Sequence, residues 1–365
     1  MTIPETLPDA MHAVYLLGNG GYDQLEYRTD AAVPEPGPDE VLIRVGAAGV
    51  NNTDVNTRIG WYSKNVVSGT NDGGDGFAVD VSEDGGWDGV GLSFPRIQGA
   101  DAAGTIVAVG GAVDASRVGQ RVLVRTMQTA GCSNPEDCHT LGSELDGGFA
   151  QYVAIHTTEA FAIDTDLDDV ALASFPCAYS TAETMLHKAK LTEGERVLIT
   201  GASGGVGSAA IQLAKRRGAH VIAVASEAKW PDIADLGADQ LLDRNADLLA
   251  ELGADSVDVV ADVVAGPGFP VLLDVLAKQG RYITSGAIAG PIVDLDVRTL
   301  YLKDLTMLGS TFQPVEVFEN LISYIERGEI RPVVANTYPL ADIVKAQQHF
   351  LEKRFAGKLV LIPPS

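Results

Sequence analysis

Cysteine is scarce in this chain: three in 365 residues, Cys132, Cys138 and Cys177. That is too few for a disulfide framework and leaves one thiol over, which suits a reducing compartment. Bases are also in short supply. Twenty-six Lys and Arg stand against 49 Asp and Glu, a net charge of −23. A surface of that sign repels nucleic acid and anionic lipid and argues against both as partners. The acids are scattered, so solubility is the plain reading of the charge. No apolar run reaches the roughly 20 residues that cross a bilayer. The opening MTIPETLPDAMHAVYLLGNGG lacks the basic start and apolar stretch of a signal peptide. The expectation is a cytoplasmic protein, without membrane or nucleic-acid partners, acting on a small molecule.

What is present divides the chain. Its length suits two domains. The first part reads as short strands and turns, with HAVYLL, EVLIRVGAAGV, AAGTIVAVG, QRVLVRT and GGFAQYVAI. A Gly- and Asp-rich stretch at 63–87 interrupts it without any sustained period and reads as an inserted loop. From about Asp168 the pattern becomes strand–helix alternation: RVLIT, a helix from Gly205 to Arg217, HVIAVA, DQLLD, VDVVADVV, a helix through FPVLLDVLAKQG, RYITSG and LTMLGST. Such alternation with continuously apolar strands predicts a parallel sheet covered on both faces. After it come a helix, PVEVFENLISYIERG, and a β-rich tail, KLVLIP. The predicted class is therefore α/β, a doubly wound parallel sheet inserted in a β-rich domain. The expected boundaries are 1–178, 179–312 and a return at 313–365.

The stretch TGASGGVG, residues 200–207, lies between an apolar strand and an amphipathic helix. Glycines there permit a tight turn and let backbone approach a pyrophosphate, while the helix N-terminus offers free N–H groups and partial positive charge. Gly201, Ser203, Gly204, Gly205, Val206 and Gly207 are the expected cradle of a dinucleotide. The next strand, HVIAV, ends where an acid would read the ribose of NAD. Ala225 stands there instead, followed by Ser226 and Lys229, which suit a 2′-phosphate. Glu227 is the contrary residue, and a surface lysine is the plainer reading of Lys229. The expected cofactor is NADP(H). Arg244 reads as a loop arginine.

The motifs GASGGVGSAAIQLAK, AAGVNNTDVNTRIGWY, GADAAGTIVAVG, DGGFAQY and GKLVL together resemble the medium-chain dehydrogenase/reductase superfamily. Within it the likeness is to the zinc-independent quinone oxidoreductases. The resemblance covers nearly the whole chain, apart from 63–87 and the segment around Cys132. It implies a GroES-like catalytic domain, a Rossmann domain, an active site between them, and a homodimer or homotetramer. Zinc enzymes of this superfamily hold their catalytic metal at three places, occupied here by Asn51, the pair Ala100–Asp101, and Cys177. Asn and Ala are not zinc ligands, so no catalytic metal is expected. Asn56 replaces the proton-relaying histidine. Cys132, Cys138 and His139 match no zinc spacing, and NDGGDG lacks the acids of a calcium loop.

The resemblance also suggests who does the chemistry. Asn51, Thr53 and Tyr62 fall in or just after the site-lining strand and turn, and Tyr179 at the crossing between domains. Thr181 would pack on the nicotinamide, Ser285 and Gly286 would lie beneath it, and Lys358 would reach the cofactor phosphates. Simpler readings compete: Asn51 bracing a turn, Tyr62 as a lid aromatic. The function expected is NADPH-dependent reduction of a quinone or an α,β-unsaturated carbonyl compound by hydride transfer without zinc. A zinc alcohol dehydrogenase with divergent ligands and a non-catalytic NADPH-binding protein are the alternatives. The insertion is expected to form a lid or rim.

Overall fold

The computed structural model describes residues 7–87, 89–132, 134 and 137–365. Its first sheet is organised by the long strand Glu40–Val50, which pairs antiparallel with Ala103–Val109, Tyr152–His156 and the tail strand Lys358–Ile362. The tail strand in turn pairs parallel with Val334–Pro339, closing a seven-stranded sheet from both ends of the chain. Val41, Ile43, Val45, Ile106, Val122, Leu359 and Leu361 meet in its core. The short helix Asn52–Ile59 follows the long strand. Asp54, its third residue, accepts the backbone N–H of Asn51 at 2.7 Å, and Gly60 ends it at φ 69°.

The second sheet is wholly parallel. Arg196–Ile199 lies inside it. Numbered along the chain, its strands are Arg196–Ile199, His220–Val224, Gln240–Leu242, Val257–Asp262, Leu276–Thr284 and Thr306–Gly309, and their order across the sheet is 3-2-1-4-5-6, that of a dinucleotide-binding sheet. Its inner strands carry continuous apolar runs, 197–199 and 221–224, because both faces are covered. Val197 and Ile199 feed the core under the helices Pro176–Lys188 and Gly205–Arg216, while Leu198 between them feeds the opposite core with Phe269 and Leu272. Each such side chain contributes roughly 1.5–3 kcal/mol by leaving water.

One expectation is corrected. Residues 276–280, read as the end of a helix, open the strand Leu276–Thr284; the helix stops at Val275. Gln279 takes φ 64° and donates its N–H to Lys303 O at 2.7 Å, so a strand irregularity replaces the last helical turn. The helix Val315–Glu326, assigned to the returning segment, lays Phe318, Leu321 and Ile325 into the core shared with the helices of the parallel sheet. It also sets the Phe318 ring 4.9 Å from Phe161 of the first sheet. The helix is a seam between the lobes, and the first sheet is rejoined only at Val334.

The insertion carries one short 3-10 turn, Thr70–Gly73, and ties both lobes together. Thr70 donates its N–H to Ile288 O at 3.2 Å and its hydroxyl to Asn56 Oδ1 at 3.0 Å. The buried Arg58 guanidinium holds Gly74 O at 3.1 Å and Gly20 O at 2.8 Å.

Candidate active site

A cleft of about 630 Å³ runs between the two lobes. At one end lies the glycine turn. Gly201 has φ 57°, and a methyl group on Gly207 would stand 2.3 Å from Gly201 O. The turn is closed on itself, and the space in front of the helix Gly205–Arg216 is left to a ligand. Gly357 donates its N–H to Ser203 O at 2.8 Å and ties the tail to this turn. Behind it, the buried Asp262 accepts from the Thr200 hydroxyl at 2.5 Å and from the Tyr282 hydroxyl at 2.6 Å. Ser203, Gly204, Gly205, Val206, Ser285 and Gly286 all line the cleft. This cradle fits the pyrophosphate of a dinucleotide: small residues and helix N-terminal N–H groups, with the one acid among the described residues of the cleft lining, Asp262, held by the Thr200 and Tyr282 hydroxyls.

At the mouth beyond the second strand, Ser226, Lys229 and Arg244 are joined by a residue the sequence did not single out, Lys353. Lys229 Nζ donates to Lys353 O at 2.5 Å, and Lys353 Nζ donates to Asn52 Oδ1 at 2.9 Å. Burial and then Lys229 push the Lys353 amine down to about 7. Burial and Arg244 lower Lys229 as well. Glu227 is exposed and lies outside the cleft lining. Spacing offers no hint of Lys353; only the fold carries the tail to this corner.

At the other end the walls are Thr53, Asn56, Trp61, Tyr62, Thr126 and Thr181, with Thr70, Asn71 and Trp87 of the insertion as the rim. The Tyr62 hydroxyl donates to Thr53 Oγ1 at 3.1 Å, and its ring meets Trp87 edge-on at 4.7 Å. Burial pushes the Tyr62 phenol up, so it stays a neutral donor. Thr181 donates to Cys177 O at 2.7 Å and accepts from Gln313 Nε2 at 3.2 Å.

One expected residue sits elsewhere, and another has a different partner from the one expected. Tyr179 does not line the cleft. It packs against Phe175, donates to Arg331 O at 2.6 Å and accepts from Gln212 Nε2 at 2.9 Å, because its place on the crossing helix faces the core. Lys358 lines the cleft, but its ammonium is not turned to the glycine turn: it donates to Asn51 Oδ1 and, at 2.9 Å, to Asp101 Oδ2.

Lys358 thus stands among the three places where the resemblance would put a metal. Asp101 also accepts from Asn51 Nδ2 at 2.8 Å and from the Cys177 N–H at 2.7 Å. Burial pushes the Cys177 thiol up, away from the thiolate a metal requires. Among the described residues no three His, Cys, Asp or Glu side chains are grouped to hold a metal ion. The donor set does not fit zinc. Cys138 instead rests its Sγ 3.8 Å from Met127 Sδ.

Known proteins agree with this architecture. Residues 37–165 match the alcohol dehydrogenase GroES-like domain, and 205–327 match the zinc-binding dehydrogenase family. A solved structure from Sinorhizobium meliloti 1021, provisionally named an alcohol dehydrogenase, is 46% identical, with TM-score 0.89, over 99% of this chain and 98% of its own. The acryloyl-coenzyme A reductase of Metallosphaera sedula is 29% identical over 96% of this chain and 99% of its own. Human quinone oxidoreductase is 27% identical over 96% and 98%. With a GroES-like half, a 3-2-1-4-5-6 parallel sheet and a cleft between them, the chain belongs to the medium-chain dehydrogenase/reductase superfamily, among its quinone oxidoreductase-like members.

Proposed function

We propose that this oxidoreductase uses NADPH to reduce a quinone or an α,β-unsaturated carbonyl compound, without catalytic zinc. The observation that carries the reading is one continuous cleft, with a phosphate cradle and three cations at one end and a polar pocket unsuited to a metal at the other. A conjugated acceptor spreads the incoming charge and so tolerates side-chain donors in place of a Lewis acid. The relatives named for quinones and for acryloyl-coenzyme A, whose acyl group is conjugated, support the same class.

When bound, the nicotinamide supplies the hydride. The chain does the rest. Ser226, Lys229 and Lys353 hold the 2′-phosphate, the 204–207 backbone holds the pyrophosphate, and Thr181, Ser285 and Gly286 frame the ring. Tyr62 donates to Thr53, which leaves the Thr53 hydroxyl proton free for an oxygen in the pocket. Trp61 and Trp87 keep water out.

The protein works in the cytoplasm as a homodimer or homotetramer. The edge strand Thr306–Gly309 is paired on one side only. Beside it Val297, Tyr301 and Leu302 are exposed, an apolar face suited to a second copy. The test is NADPH oxidation against quinones, enones and aldehydes, with NADH alongside and with chelator. A preference for NADPH, a conjugated acceptor and indifference to chelator are expected. Stoichiometric zinc with loss of activity in chelator would favour an alcohol dehydrogenase of divergent ligands. Tight NADPH binding with no acceptor would favour a non-catalytic protein.

A further inference from the structure

An ammonium group has three N–H donors. Lys358 gives one to Asn51 Oδ1 and one to Asp101 Oδ2, and the third has no partner among the described residues. The side chain is 3% exposed and borders the cleft together with Asn51, Cys177 and Thr181. Its surroundings are otherwise satisfied: Asp101, fully buried, accepts from Lys358, Asn51 and the Cys177 backbone. The stem reaches this point through a corridor that two glycines leave open. A methyl group on Gly49 would stand 3.0 Å from Lys358 Cε, and one on Gly205 would stand 2.9 Å from Cδ. Gly205 begins the phosphate-side helix, so the stem passes that helix and carries its charge onward to the substrate end.

We propose that Lys358 Nζ is the group that binds and polarises the carbonyl oxygen of the substrate, taking by hydrogen bonding the part a metal has in the zinc enzymes. The proposal rests on the reductase reading for its substrate class. Asn51 and Asp101 are then positioning residues: they hold two N–H groups and so aim the third. Preorganised donors of this kind in a water-poor pocket are worth about 10²–10³-fold in rate. A cofactor-phosphate role for the same lysine is the competing assignment, and it makes the opposite forecast for cofactor affinity.

The test uses the full-length protein and three variants: Lys358→Met, Lys358→Arg and the double variant Lys358→Met/Asp101→Asn, which leaves no unpaired buried carboxylate if the single variant fails to fold. First, 4-(dimethylamino)cinnamaldehyde is bound in the presence of NADP⁺. Its absorption moves to the red when its oxygen is hydrogen-bonded to a cation, with no turnover needed. The red shift is expected in the wild type and lost in both Met variants, with the Arg variant keeping part of it. Second, NADPH affinity by fluorescence is expected to change less than about twofold, while kcat at saturating cofactor falls about 10²–10³-fold. No red shift in the wild type, or an equal shift in the Met variants, overturns the proposal. So does weaker NADPH binding with kcat intact. If the wild type reduces no acceptor, the reductase reading fails, and the absorption experiment still decides what Lys358 binds.

Discussion

Lys229 Nζ meets the backbone carbonyl of Lys353 at 2.5 Å, joining residues 124 positions apart across the mouth of the cleft. The bond brings two amines and Arg244 to one corner, and among the described residues none of the three is ion-paired with an acid. A phosphate is the natural counter-ion. Lys229→Ala is expected to raise the KM for NADPH about 10- to 100-fold, the worth of one charge-assisted hydrogen bond. NADH should hardly notice. Equal losses for both cofactors would remove the 2′-phosphate assignment.

The same corner sets a pH dependence. Burial and Lys229 hold the Lys353 amine at about 7, so it sheds its charge above that value, whereas an unfolded lysine keeps its proton to about 10.4. Between these values the unfolded chain binds more protons, so this group makes the free protein more stable as pH rises from 7 to 10. Below 7 both states are protonated and the penalty of burying the charge is felt in full. NADPH affinity runs the other way. From pH 7 to 9 it should weaken about tenfold as the phosphate loses a cationic partner. Calorimetry on the wild type and on Lys353→Met checks this; over the same range the variant should show a smaller rise in stability and a smaller loss of affinity, and an unchanged profile would remove the assignment to Lys353.

Arg125 and Glu159 form a buried bidentate pair, at 2.7 and 2.9 Å, and Arg125 also holds Gln313 O at 2.9 Å. Arg125→Met leaves the Glu159 carboxylate buried without its cation and should cost about 3–5 kcal/mol in urea unfolding. Burial alone would raise the Glu159 carboxyl, but Arg125 overrides it and holds the group below its ordinary 4.5. The contribution is present above that value and is lost as pH falls through the folded one. A variant as stable as the wild type at pH 7 would mean that the pair adds nothing.

Gly207→Ala places a methyl group against backbone, 2.3 Å from Gly201 O and 2.6 Å from Ala202 Cα, where nothing yields cheaply. The phosphate turn must open. Cofactor affinity should drop at least tenfold while the far-ultraviolet circular dichroism stays that of the folded protein.

Trp87 closes on Tyr62 from the insertion. Trp87→Ala should change the ratio of kcat/KM between a small and a bulky acceptor about tenfold, with NADPH affinity untouched. A constant ratio would detach the insertion from substrate choice.

The class of fold was legible because its signals are local. RVLIT, the glycine turn and the helix after it are contiguous, and their apolar spacing states which faces are covered. Thr53, Tyr62, Thr181 and Ser226 lie in the cleft because motif and site coincide in short segments. Tyr179 misled because a helix position near the site does not reveal which way its ring turns. Residues 276–280 misled because Leu-Ala-Lys-Gln ahead of Gly280 continues the helix pattern before it and serves a strand as well, until Leu276 is seen opposite Val257.

By itself the sequence determined the phosphate cradle: four glycines in eight residues allow the turn through steric freedom that needs no distant partner. Only the tertiary structure decided where the charges of the site go. Asn51, Asp101 and Lys358 are separated by 50 and 257 positions, and they meet because the tail strand pairs antiparallel with the long strand, placing Leu359 opposite Val50. Periodicity records which residues leave water. It holds no record of which buried cation will find which buried acid, since that depends on strand register between distant parts of the chain.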